Sequence, residues 1–149
     1  EGTVPEVNLE SEKKLQDFLI SQIESGRIKA AHDVSEGGLL VCLAEMLFSG
    51  EGFGASFEIS HKASTPRLDA LLLGESQGRV VIAVNSVDVE SLEMAAQNGG
   101  IPIHSLGRSN NSGDMKVSVD GNEILSSRVE DLCSNWEHAI PSLMESSNK

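Results

Sequence analysis

The sequence predicts an α/β fold, an α+β sandwich in which helices pack on a mixed sheet. Apolar residues recur at helical spacing in several segments. Between these lie short apolar or alternating runs at Ile28–Val34, Gly54–Ile59, Val80–Val84 and Ile101–Leu106. Asp120-Gly121, set between two such runs, is a strong hairpin signal.

The elements follow in order. Asn8 caps a first helix whose apolar positions are Leu15, Phe18, Leu19 and Ile23, and Gly26 closes it. Ile28–Val34 is a strand. Ser35 is the natural cap of the next helix, with Leu39, Leu40, Leu43, Met46 and Leu47 on one broad face. Ser49-Gly50-Glu51-Gly52 ends that helix, and Gly54–Ile59 alternates as a strand. Thr65-Pro66 starts a helix through Leu68, Leu71 and Leu72, which Gly74 breaks. The continuous run Val80–Val84 predicts a strand buried on both faces. Asp88 caps a helix through Ala96, stopped by Asn98-Gly99-Gly100. Ile101–Leu106 follows as a strand and Ser109–Gly113 as a loop. Met115–Val119 and Asn122–Leu125 form the hairpin. A last helix spans about Ser127–Met144, where Pro141 bends it or ends it early, and the tail Ser146–Lys149 frays.

The chain has 149 residues, enough for one domain with its own core, and shows neither an internal repeat nor a second domain. It opens on Glu1, as a piece cut from a longer polypeptide would. Aromatics make up 3%, so the core is aliphatic and stacking platforms for single-stranded nucleic acid are lacking. With 23 acids against 11 Lys and Arg the net charge is −12. Nucleic-acid binding needs clustered positive charge, and the same balance disfavours an anionic membrane surface. No run approaches the ~20 apolar residues that cross a bilayer, and Glu1-Gly2-Thr3-Val4-Pro5 lacks the basic and apolar regions of a signal peptide. A cytoplasmic protein is expected, with Cys42 and Cys133 as packed, reduced thiols.

Two stretches can carry chemistry. In Ala31-His32-Asp33-Val34-Ser35-Glu36-Gly37-Gly38-Leu39 an acid, a hydroxyl and two glycines fall at a strand-to-helix turn, where α/β folds collect ligands. Asp33 can hold a metal, Ser35 offers its hydroxyl, and the bare first helical turn suits a Mg²⁺-bound phosphate. Equally, Ser35 only caps the helix and the glycines only permit close packing. In Gly74-Glu75-Ser76-Gln77-Gly78-Arg79, donors and acceptors stand in a row and Arg79 can meet a carboxylate or phosphate, or simply form a surface ion pair. His32 sits beside Asp33 with nothing to fix it as a base. His61, His104 and His138 are scattered. Glu10, Glu12 and Glu24 read as solvated faces.

The 31–39 stretch, followed by Leu43-Ala44-Glu45-Met46, resembles the signature of the phosphoribosylformylglycinamidine synthase family, in the C-terminal half of its synthetase subunit. Gly74–Val81 resembles that family at the expected later position. So do Pro5-Glu6-Val7-Asn8-Leu9-Glu10 and Trp136-Glu137-His138-Ala139-Ile140-Pro141, so the likeness covers nearly the whole chain. A hydrogenase maturation factor of the same superfamily shares a His-Asp-x-x-Glu-Gly-Gly stretch, but its cysteine-bearing tail has no counterpart in Ser146-Ser147-Asn148-Lys149. A free-standing Mg-nucleotide-binding or scaffold module on the same fold is the other alternative.

The resemblance implies an aminoimidazole ribonucleotide synthetase-like C-terminal domain over residues 1–149. It implies an ATP-dependent C–N ligase of purine biosynthesis, in which formylglycinamide ribonucleotide and glutamine-derived ammonia give the amidine. ATP activates the amide oxygen as an iminophosphate, which ammonia then displaces. The implied cofactors are Mg²⁺ and ATP/ADP. The implied partners are the remaining domains of the synthetase and a separate glutaminase subunit. By the motif match Asp33 is a Mg²⁺ ligand and Ser35 a nucleotide-phosphate contact. Glu75, Ser76 and Gln77 match a substrate-ribonucleotide stretch whose equivalent in this half is thought auxiliary or structural. The catalytic residues belong to other domains, so this chain alone is expected to be silent.

Overall fold

Asn8 starts the first helix as its side chain predicts. Its Oδ1 accepts the N–H groups of Glu10 at 3.1 Å and Ser11 at 3.0 Å, and α1 runs Leu9–Glu24. Lys13–Asp17 and Lys14–Glu10 pair one turn apart, both at 2.7 Å and well exposed. The Lys14 ammonium, by its hydrogen bond and its charge, holds the Glu10 carboxyl below its ordinary value. The one buried side chain of α1 is polar: Gln22 Oε1 accepts from Arg27 Nη1 at 2.6 Å, so burial leaves it satisfied.

The structure, a computed structural model, describes residues 7–50, 52–61 and 67–146, with side chains through 144. The expected helix start at Thr65-Pro66, the opening Pro5-Glu6, Glu51 and the tail 147–149 lie outside them. The chain forms two compact units. One comprises residues up to Cys42 together with Asp69–Ser105, the other Leu43–Leu68 with Leu106 onward.

In the first unit, β1 (Ile28–Asp33) pairs antiparallel with β3 (Val80–Val84), from Ile28 opposite Val84 to Asp33 opposite Val80, with a bulge between Ile28 and Ala30. The α1 helix packs on β1 and on α4 (Val89–Gly99). The buried apolar residues of this unit include Ile28, Val34, Leu39, Cys42, Leu72, Leu92 and Ala96. The expectation that β3 is buried on both faces fails. None of its residues is fully buried, because it belongs to a two-stranded ribbon in which β1 is its only ladder partner among the described residues.

Helix α2 spans Gly38–Phe48 and α3 spans Leu68–Leu73. A 3₁₀ turn, Ser86–Asp88, leads into α4. Asp88 holds the cap position as expected, yet its side chain makes no capping bond; its carbonyl accepts from the Ser91 hydroxyl instead. Gly100 ends α4 in the left-handed region, and Ile101 returns its N–H to the Ala96 carbonyl at 2.8 Å. This explains why Ile101–Leu106 is not a strand. Ile101 is spent on the helix end, and Pro102 has no N–H for a ladder.

The second unit holds a four-stranded mixed sheet in the order β4-β2-β5-β6: β2 Gly54–Ile59, β4 Gly107–Asn110, β5 Asp114–Val119 and β6 Asn122–Arg128. The β2–β5 pair is parallel and the other pairs are antiparallel. The strand missed by the sequence reading is β4, two residues of which fall in the expected 109–113 loop. The hairpin forms as read, with Asp120 and Gly121 both at positive φ, 49° and 78°. Met115, Val117 and Val119 alternate into the core with Leu47, Ala55, Ile59 and Val129. Helix α5, Val129–Ser146, begins two residues later than expected because β6 extends to Arg128, and it runs on past Pro141. Trp136 packs at a tilt on Phe48, ring centres 6.0 Å apart. The Cys133 thiol, within α5, is pushed up by desolvation and then by Glu137, so it stays protonated; Cys42 is buried, and its thiol donates to the His32 carbonyl at 3.7 Å. The α/β class with a mixed sheet and packed helices is thus as expected.

Met115 has no exposed surface. Met115→Ala should cost about 2–5 kcal/mol, measured as a fall in the midpoint of chemical denaturation.

Candidate functional site

Both stretches singled out in the sequence face one open cleft of about 450 Å³ in the first unit. Asp33, Val34, Ser35 and Glu36 line it from the end of β1 and the turn that follows. Glu75, Gln77, Gly78 and Arg79 line it from the loop between α3 and β3. Helix α1 supplies the facing wall through Glu12, Leu15, Gln16 and Leu19. Ser76 is half-buried and is not among the lining residues. Glu12, read from the sequence as a solvated acid, faces the cleft. Nothing local to α1 signals this, because the contact is made by a loop more than sixty residues away.

The turn after β1 differs from the sequence reading. Ser35 does not start the helix: its carbonyl accepts the Gly38 N–H at 3.1 Å, and α2 begins only at Gly38. Gly37 and Gly38 have φ of +78° and +72°, a conformation that favours glycine. A Cβ on Gly38 would lie 2.5 Å from the Leu73 carbonyl carbon, so the end of α3 sits directly against the start of α2. The glycines do permit close packing. The first turn of α2 is not bare, however, because the Gly37 N–H donates to Glu75 Oε1 at 3.0 Å.

The loop is held on its own side as well. Arg79 donates from Nη2 to the Leu71 carbonyl at 2.9 Å and from Nη1 to the Gly74 carbonyl at 3.2 Å. Its main-chain carbonyl accepts the Val34 N–H at 2.8 Å. Among the described residues Arg79 is thus in no ion pair; its guanidinium closes the loop on main-chain carbonyls. Burial holds it below its ordinary value, with the nearby Cys42 acting in the opposite direction, and it remains charged.

The lining is acidic: Glu12, Asp33, Glu36 and Glu75 against Arg79 alone. A bare phosphate would be repelled, and a cation-borne one would not. Asp33 is three-quarters exposed, and its carboxylate lies 3.9 Å from His32 Nδ1, which also contacts the Asp33 carbonyl at 2.8 Å. Among the described residues, no three His, Cys, Asp or Glu side chains converge as a metal cage. Mg²⁺ needs no such cage, since it takes one or two carboxylates and completes its shell with water and phosphate. Asp33 fits that role. The Ser35 hydroxyl, exposed and without a hydrogen-bond partner among the described residues, is free for a phosphate oxygen. His138 contacts the Ser134 carbonyl at 2.9 Å on α5, and His61 donates its main-chain N–H to Asp120; neither lines the cleft.

Residues 1–120 match the family described as AIR synthase related protein, C-terminal domain. The chain belongs to that family. Members named phosphoribosylformylglycinamidine synthase subunit PurL are similar along nearly its whole length. The one from Alkaliphilus metalliredigens is 32% identical over 145 residues, covering 97% of this chain and 19% of the relative. The one from Zymomonas mobilis is 39% identical over 145 residues, 97% of this chain and 18% of the relative. The chain thus spans about a fifth of the length of these relatives. Thermotoga maritima PurL, solved in complex with ATP, shares the fold with a TM-score of 0.72 at 18% identity, over 81% of this chain and 21% of its own. In this AIR synthase-related domain, the turn after β1 and the loop before β3 lie side by side and line the cleft together, opposite α1.

Gly38→Ala brings a Cβ against the Leu73 backbone at a left-handed φ. It should cost more than about 2 kcal/mol, read by thermal or chemical unfolding.

Proposed function

We propose that this chain is the C-terminal domain of the synthetase subunit of a phosphoribosylformylglycinamidine synthase. The observation that carries the reading is the likeness to PurL subunits along 97% of the chain, at 32% and 39% identity. In that role residues 1–149 form one domain of a longer polypeptide. The whole enzyme is an ATP-dependent C–N ligase that turns formylglycinamide ribonucleotide and glutamine-derived ammonia into the amidine in the cytoplasm. Its other domains, and a glutaminase subunit that supplies the ammonia, are the partners of this domain.

The cleft is the nucleotide-facing part of that design. Asp33 holds Mg²⁺ through its exposed carboxylate, and Ser35 hydrogen-bonds a phosphate oxygen of ATP or ADP. When bound, Mg²⁺ offsets the phosphate charge that the acidic lining would otherwise repel. Leu15 and Leu19 offer an apolar wall opposite. Gln77 is the member of the 75–77 loop left to meet a substrate ribonucleotide, since Ser76 lies off the cleft and Glu75 is engaged by Gly37. None of these groups forms or breaks the bonds of the reaction, and the chain has no turnover by itself.

Two measurements test the reading. Asp33→Asn in the full natural polypeptide should lower Mg²⁺-dependent nucleotide affinity by about tenfold or more, read by calorimetric titration; unchanged affinity would remove Asp33 from the site. The purified 149-residue chain, given formylglycinamide ribonucleotide, ATP, Mg²⁺ and ammonia, should release no ADP above background. Turnover there would overturn the division of labour proposed here.

A further inference from the structure

We infer that Glu75 is a positioning residue, whose carboxylate holds the Gly37 N–H and thereby fixes the turn that presents Asp33 and Ser35 to the cleft. The inference rests on the nucleotide-site reading only for the identity of the ligand. The latch itself rests on geometry. Residues 37 and 75 are 38 positions apart, and the bond between them is 3.0 Å. It joins an anion to the N-terminal end of a helix of 11 residues, where charge and dipole reinforce each other.

The backbone leaves Glu75 little choice of partner. On one side, Leu73 abuts Gly38 so closely that a Cβ there would clash. On the other, the Arg79 carbonyl takes the Val34 N–H, and the Arg79 guanidinium draws the loop back on Leu71 and Gly74. Residues 74–78 are strung between these two fastenings, beside the turn. Gly37, at φ +78°, aims its N–H outward at the point where they pass. Without the Glu75 carboxylate this N–H loses its side-chain acceptor, and the left-handed pair Gly37-Gly38 at the entrance to α2 loses that hold. A phosphate in the cleft therefore finds the Gly37 N–H already occupied, which leaves the Asp33 and Ser35 side to grip it.

The test uses Glu75→Ala and Glu75→Gln in the full natural polypeptide. Hydrogen–deuterium exchange is followed on the peptide spanning Val34–Leu40, with the β5 peptide Asp114–Val119 as control. Glu75→Ala should speed exchange at Gly37 by about tenfold, while Glu75→Gln, which keeps an acceptor oxygen, restores most of the protection; the control peptide should not change. Unchanged exchange in Glu75→Ala, or equal acceleration in both peptides, would overturn the latch. A parallel titration with Mg-ADP should show weaker binding by Glu75→Ala and recovery by Glu75→Gln. If the unmodified protein binds no Mg-ADP, the nucleotide reading fails, and the exchange data still decide the latch. If it binds and Glu75→Ala binds equally well, the turn needs no positioning and the inference is wrong.

Discussion

The contact between the turn after β1 and the loop before β3 is the constraint on which the first unit depends. The β1–β3 ladder ends at Asp33 opposite Val80, and the Val34–Arg79 bond carries the pairing one step beyond it. Past that point each strand must leave the ribbon, one into α2 and the other back towards α3. Two-stranded ribbons are marginal by themselves, so the exits have to be fastened to something. They are fastened to each other: Gly38 to Leu73 by close approach, and Gly37 to Glu75 by a hydrogen bond. The cleft is the space left beside this junction, closed on its far side by α1.

This arrangement accounts for the electrostatics of the cleft. Carboxylates accumulate along its wall, while the one guanidinium is turned to main-chain carbonyls. On the proposed function, four carboxylates set against one guanidinium favour a metal-neutralised polyphosphate over a free anion. The net charge of −12 therefore has a local counterpart in the cleft, although most of the chain's acids lie elsewhere.

Much of the fold was legible in the chain, and the failures have separate physical causes. Asn8, Gly100 and the Asp120-Gly121 pair act through their own side chains or backbone freedom, so local reading finds them. Gly107–Asn110 is polar, fully exposed and strand-like only because β2 pairs with it; no periodicity announces such an element. Ile101–Leu106 has the composition of a strand, but Pro102 and the end of α4 deny it a ladder. Val80–Val84 has the pattern of a doubly covered strand yet sits in a ribbon with one neighbour. Within the site, residue types signalled Asp33, Ser35 and the 74–79 loop. The pairing of Glu75 with Gly37, the inward turn of Arg79 and the part taken by Glu12 depend on contacts distant in sequence, which composition and spacing do not encode.

The placement of Trp136 has a practical consequence. It is the only tryptophan in a chain without tyrosine, and it stands on α5 beside Phe48, more than half exposed. Intrinsic fluorescence is therefore a reporter of the second unit. An emission shift would register a change of cover over that helix, and an unfolding curve followed at this wavelength would track the mixed sheet and its helix.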